Sequence, residues 1–463
     1  MKKRWYLLLA LPLVLGAPTV LSSCGDDEPD PIEKPNNPDT PGTPGDNNQG
    51  ETKLDSESQK LKLQATAQKF MKEVPADEMR NLSQLADYVN DAYINNSKFS
   101  NDVVTDWFEE LMNDNFLSRD KEKDEKYDYD YSFMHEVYYK EYYKRIIELS
   151  QFKGKFVAGK GGCTKSNADD LQFEFKDQNG ITCVLTLKTS GKTAKVYVGE
   201  TWGDCYSEKI EGVDGEYWKW VDVIEKNYVY VPEHITTTLL QGGNTLVSAE
   251  VNIDHSQFLG PEYDLSKDAV STNATVKINN YVWVVDRAAH NGKEGSAYVK
   301  GSMSKAGKTL VSFEASAADT KLDEDGELLQ GGAAKVSVNI LDEVQIKGTC
   351  SNVKTFADYL DKADQFEENE SQFKSYVNQA NSLLNLGIYF NGGSMRQAKV
   401  QLECFEDGYA NWKDWTYEPV LVFDDNSTYS TFTAFFNETS FREVINSFED
   451  LVRSYEKLIE FAN

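Results

Sequence analysis

The sequence predicts an α+β fold, on three observations. Before residue 150 apolar side chains recur every three or four positions, from about 152 to 348 they alternate, and after Asn352 the helical period returns. That order implies an N-terminal helical region, a central antiparallel β-meander with one apolar face, and a C-terminal helix–β–helix segment packing on it. The boundaries fall at 53–150, 151–350 and 351–463, preceded by a leader over 1–23 and a tether over 24–52.

The leader comes first. Lys2, Lys3 and Arg4 precede an apolar stretch from Trp5 to Leu21, interrupted by Pro12 and Pro18. A spanning helix needs about 20 apolar residues, so the short run and its basic flank predict a secretory signal instead. "LSSC" (Leu21 to Cys24) ends it. This box resembles that of bacterial lipoproteins, in which the cysteine thiol receives a diacylglycerol and the signal is cut just before it. The resemblance implies that Cys24 is the first mature residue and carries the lipid anchor, with fatty acyl chains such as palmitate. "GDDEPD" (Gly25 to Asp30) resembles the export signal of surface lipoproteins in Bacteroidota, which implies the outer membrane, facing outward.

The tether, centred on "NNPDTPGTPGDNNQG" (Asn36 to Gly50), is too poor in apolar side chains to fold and serves as reach. The whole chain carries a formal charge of −28. Loss of Lys2, Lys3 and Arg4 with the signal makes it more negative still, which argues against nucleic acid as a partner.

In the body, "NLSQLADYVNDAYI" (Asn81 to Ile94), "NDVVTDWFEELM" (Asn101 to Met112) and "FMHEVYYKEYYKRIIEL" (Phe133 to Leu149) each carry an apolar helical stripe, with a charged loop at 118–131. Strands follow. "LQFEF", a turn at Asn179-Gly180 and "ITCVLTL" predict a hairpin. The same pattern recurs at 190–198, 242–253, 274–285, 306–317 and 331–340. Helix returns over 352–386, a further sheet segment lies within 395–436, and Ser440 to Phe461 closes the chain as an amphipathic helix.

Chemical signatures are few. "SGKT" (190–193) and "AGKT" (306–309) lack the upstream glycine and the following helix of a phosphate loop, and read as turns. His135, His234, His255 and His290 show no ligand spacing, and "DEDGE" (323–327) lacks the calcium-loop pattern, so no metal and no cofactor are expected. Cys163, Cys183, Cys205, Cys350 and Cys404 contain no CxxC. Cys183 and Cys404 alternate with apolar residues as core positions, while Cys163 and Cys205 flank the sheet and are candidates to pair.

Aromatic clusters remain. Trp202, Tyr217, Trp218 and Trp220 form one, Trp412 and Trp415 another. Aromatic planes beside carboxylates suit a sugar platform, since ring C–H faces pack on indole and acids bond hydroxyls. The alternative use of such residues is as core anchors. The sequence therefore predicts a non-enzymatic surface binding protein for a glycan or an apolar ligand. Second is an accessory subunit docking on an outer-membrane partner. Third is a hydrolase using two carboxylates, as glycosidases do.

Overall fold

The computed structural model describes residues 53–75, 78, 80–89, 116–127, 136–159, 162–202, 205–210, 217–258, 260, 262–264, 266–323, 328–407, 414–425 and 428–429. The signal, Cys24, the tether, the helix expected over Asn101–Met112, Trp412 and the helix expected over Ser440–Phe461 lie outside these residues.

Helices α1 (Ser56–Glu73) and α2 (Arg80–Val89) open the described chain. Strands β1 (Phe116–Tyr127), β2 (Glu136–Glu148), β3 (Gly154–Gly159), β4 (Gly162–Ser166) and β5 (Leu171–Lys176) follow. Next come β6 (Thr182–Trp202), the short β7 (Tyr206–Ile210) and the 25-residue β8 (Tyr217–Gln241). A regular run succeeds them: β9 (Asn244–Gln257), β10 (Ala269–Ile278), β11 (Tyr281–Asn291), β12 (Ser296–Lys305) and β13 (Lys308–Ala317). A small side hairpin, β14 (Lys321–Leu322) with β15 (Leu328–Gln330), precedes β16 (Ala334–Ile340) and β17 (Val344–Cys350). Helices α3 (Val353–Asp364) and α4 (Glu370–Asn381) interrupt the sheet before β18 (Leu384–Phe390), β19 (Ala398–Asp407), β20 (Asp414–Val422) and β21 (Thr428–Tyr429).

Apart from the side hairpin, the strands join in one mixed sheet of 19. The protein is therefore mostly β, and the expected α+β fold with a helical N-terminal region is overturned. The stretch 136–148, expected as helix, is strand β2, and much of the charged loop expected at 118–131 is strand β1. The cause lies in "YYKEYYKR" (138–145), where tyrosines and charges satisfy a period of two as well as a period near 3.6. Partner strands decide between them. β2 lies antiparallel to β1 and parallel to residues 218–230 of β8, so its backbone is paired on both sides.

The expected antiparallel meander is present. Its apolar face runs in register: Val276, Trp283, Met303, Val311, Ile340, Val344 and Phe390 follow one another across β10, β11, β12, β13, β16, β17 and β18. On the other face His234, Asn252 and Asn273 form one row, and Ser337, Lys347, Gly387 and Lys399 another. The Asn179-Gly180 turn adopts φ +77° at Gly180, a left-handed conformation that glycine takes without strain.

The N-terminal helices cross the turn end of the sheet on its apolar face. Leu63 of α1 packs on Val344, Ile388, Phe390 and Leu421, while Phe70 and Val74 reach Tyr281 and Leu310. Leu85 of α2 joins Phe156, Leu171, Phe173, Phe175 and Cys183. Polar contacts follow the same course: Lys69 pairs with Glu343, Lys308 with Glu73, and Lys305 Nζ lies 2.7 Å from Glu78. At the opposite flank α3 and α4 set Ala363, Phe373 and Val377 against Leu402, Cys404, Trp415 and Tyr417. Asn352 and Asn369 cap these helices, their side chains accepting from the N–H groups of Thr355 and Gln372.

Candidate functional site

β6 and β8 are twice the length of their neighbours, and their outer halves extend past the meander as an arm. Residues 193–202 of β6 pair with 224–232 of β8, and β7 pairs with 217–221. β2 runs along the other side of β8. The turn-free length follows from composition: "YWKWVDVIEKNYVYV" (217–231) has no glycine or proline and is dense in aromatic and β-branched residues.

The two faces of the arm differ. On one, Trp220 and Ile224 point the same way along β8, and Trp202 stands opposite Ile224. Trp202 is 69% exposed and Trp220 43%, whereas Ile224 beside them is buried. Strand geometry separates the two indoles by roughly 14 Å, four residues along and one strand across. Tyr138 and Tyr142 of β2 stand in register with Trp220 and Ile224. Lys226 Nζ sits 5.8 Å from the Tyr142 ring centre, and Lys144 and Lys195 lie 4.5 and 3.9 Å from that of Tyr228. Burial and the nearby Lys144 hold the Lys195 amine below its ordinary range, though Glu262, 2.7 Å away, opposes the shift.

The other face is a lock. Glu141 of β2 is 2% exposed. Lys121 of β1 donates to it at 2.6 Å and the Tyr143 hydroxyl at 2.9 Å, with Tyr206 of β7 also donating and Lys219 of β8 at 3.9 Å. Burial raises the pKa of this carboxyl, but the donors outweigh burial and leave it below 4.5. One carboxylate thus ties β1, β2, β7 and β8 together. Glu141→Gln is expected to cost about 1–3 kcal/mol of local stability, read as faster hydrogen exchange in β1 and β2. Because the folded pKa is depressed, this contribution is complete above the unfolded value. It is lost as pH falls below that value and through the folded one.

Of the aromatics singled out in the sequence, the structure sets Trp202 and Trp220 on one face of the arm. Tyr217 and Trp218 lie on the same strand, in register with Ile210 and Lys209. Trp415 belongs elsewhere. It packs under α4 with Lys374 Nζ 4.0 Å from its ring, and nine strands separate its strand, β20, from β8 along the sheet. Tyr138, Tyr142, Lys144 and Lys195 were hidden by the helical reading of 133–149 and by the distance between β2 and β6 in sequence.

The remaining chemistry is spare. Among the described residues no three His, Cys, Asp or Glu side chains converge as metal ligands. Cys183 is buried, and that burial pushes its thiol pKa up to about 11. "SGKT" lies at an irregularity inside β6 and "AGKT" at the β12–β13 turn, with no helix after either. Among the described residues no helix is long and apolar enough to cross a membrane. No protein-family model, curated protein or solved structure matches the chain.

Proposed function

We propose that the chain is a lipid-anchored outer-membrane surface protein that captures glycan on the outer face of the β2–β6–β8 arm, without catalysing a reaction. The observation that carries this is the exposure of Trp202 and Trp220 on one face of a strand pair whose other face is locked by Glu141. Exposed indoles are apolar surface that a ligand can cover, and amphipathic ring faces of sugars suit them. Glu200 and Lys226, paired in register beside Trp202, and Asp222 between Trp220 and Ile224 supply acceptors and donors for hydroxyls. The separation of the indoles favours an oligosaccharide over a single ring.

The rigid backing matters as much as the indoles, since a preformed platform spends less of its contact energy on ordering. Anchoring through Cys24 and the tether would hold this arm away from the membrane. An array of host and microbial polysaccharides probed with the full-length chain tests the reading. Retention on at least one oligosaccharide class is expected, and retention on none counts against it.

A further inference from the structure

The apolar face of the meander is covered at its turn end and at one flank, and is open between them. At the turn end α1 lies across it, and there Val344, Ile388 and Leu421 are 3%, 1% and 3% exposed. At the flank α3 and α4 cover Leu402, Cys404, Trp415 and Tyr417. In the middle Val299, Phe313, Val336, Val338 and Leu386 are only half-buried. Among the described residues, the hydrophobic clusters that helices form with the sheet stop short of these five.

Register orders this open patch in two rows. Phe313 and Val338 stand side by side in the first. Val299, Ala315, Val336, Gly348 and Leu386 follow one another in the second, large side chains alternating with small ones. The rows lie two and four residues further along the strands than the row under α1, so the patch is centred about 10 Å from that helix. That is the spacing at which two helices pack side by side, and the alternation of large and small offers ridges and grooves to a second one.

We propose that residues 440–461 of the same chain pack as a helix on this patch. Their sequence, "SFREVINSFEDLVRSYEKLIEF", sets Val444, Phe448, Leu451, Tyr455 and Leu458 on one side of a helix. In that helix Val444 to Leu458 measures about 21 Å, against about 19 Å from Val299 to Leu386 across four strand spacings. The chain also arrives at the right place. β21, the last described strand, pairs Tyr429 with Leu421, and Leu421 is in register with Val400 and Leu386. The described chain therefore leaves the sheet in the second row of the patch. Residues 430–439 then lead to Ser440, ample length for the roughly 14 Å from β21 to β18. Entry from that edge places Phe448 over β16 and β17, and Tyr455 over β12 and β13.

The test replaces Phe448, Tyr455 or Arg453 by p-benzoylphenylalanine in the full-length chain, Arg453 lying on the side of the helix opposite the stripe. Irradiation and peptide mapping then read what each position touches. The Phe448 position is expected to cross-link to β16, β17 or β18 of its own chain, and the Tyr455 position to β12 or β13. The Arg453 position reaches none of these strands. Circular dichroism checks that each variant keeps its strands, and the two stripe positions are separate proteins, so loss of one fold leaves the other as the test. Cross-links from both stripe positions to the arm or to the polar face, or none at all, overturn the proposal. A dimer-sized product carrying peptides of the patch gives the patch to a second copy of the chain and overturns it too. Trp202→Ala/Trp220→Ala leaves the cross-links unchanged, so this packing stands or falls apart from glycan capture.

Discussion

Replacing Phe156 by alanine is expected to lower the unfolding free energy by about 3–5 kcal/mol, the usual cost of emptying a buried aromatic site. Phe156 has no exposed surface and sits where four elements meet: Leu85 from α2, Leu171 and Phe173 from β5, and Cys183 from β6. This cluster fastens the helices to the edge of the sheet from which β6 rises into the arm. The cavity cannot close by collapse, because β3 is held in register by β4 on one side and β5 on the other. Phe156→Leu keeps most of the volume and is expected to cost less than about 1.5 kcal/mol. Urea unfolding followed by circular dichroism measures both, and an alanine variant within about 1 kcal/mol of the wild type would show that the cluster does not join helix to sheet.

The double substitution Trp202→Ala/Trp220→Ala is expected to weaken glycan binding about 100-fold. Each indole that covers a sugar face contributes about 1–1.5 kcal/mol from the apolar area removed from water, and each 1.4 kcal/mol is a factor of ten. Both side chains are exposed, so stability should hardly change. Single variants are expected to lose about tenfold each, and affinity electrophoresis of the three proteins reads the series. Equal affinity in the double variant would remove the arm from the glycan reading. Trp415→Ala serves as the contrast: it loosens the packing of α4 on β20 and leaves binding alone.

The meander was legible because a sheet with one apolar face writes its alternation directly into sequence. Phe173, Leu185 and Leu239 appear as every second residue of their strands and then meet in one row. The region 116–148 was not legible. Tyr138, Tyr142 and Ile146 fit a helix stripe as well as a strand face, and only a parallel partner some 80 residues away in sequence resolves the choice. β1 carries charge where an apolar pattern would have marked it, and it is held instead by contacts such as Lys121 to Glu141 and Lys144 to Glu122.

The candidate site was readable in its residue types and not in its membership. Trp202 and Trp220 share one face of the arm because both lie on strands joined through the short β7. Clustering in sequence added Trp415, whose strand belongs to the far side of the sheet and whose ring is needed by α4.

The central claim is that sugar is held on the indoles of Trp202 and Trp220. Indole nitrogen-15 labelling of the full-length chain, which has eight tryptophans, gives each ring its own NMR signal, assigned by single substitution. On addition of the best oligosaccharide from the array, the Trp202 and Trp220 signals are expected to shift together while those of Trp283 and Trp415 stay in place. Shifts confined to Trp415 or Trp283, or none at saturating sugar, would contradict the account.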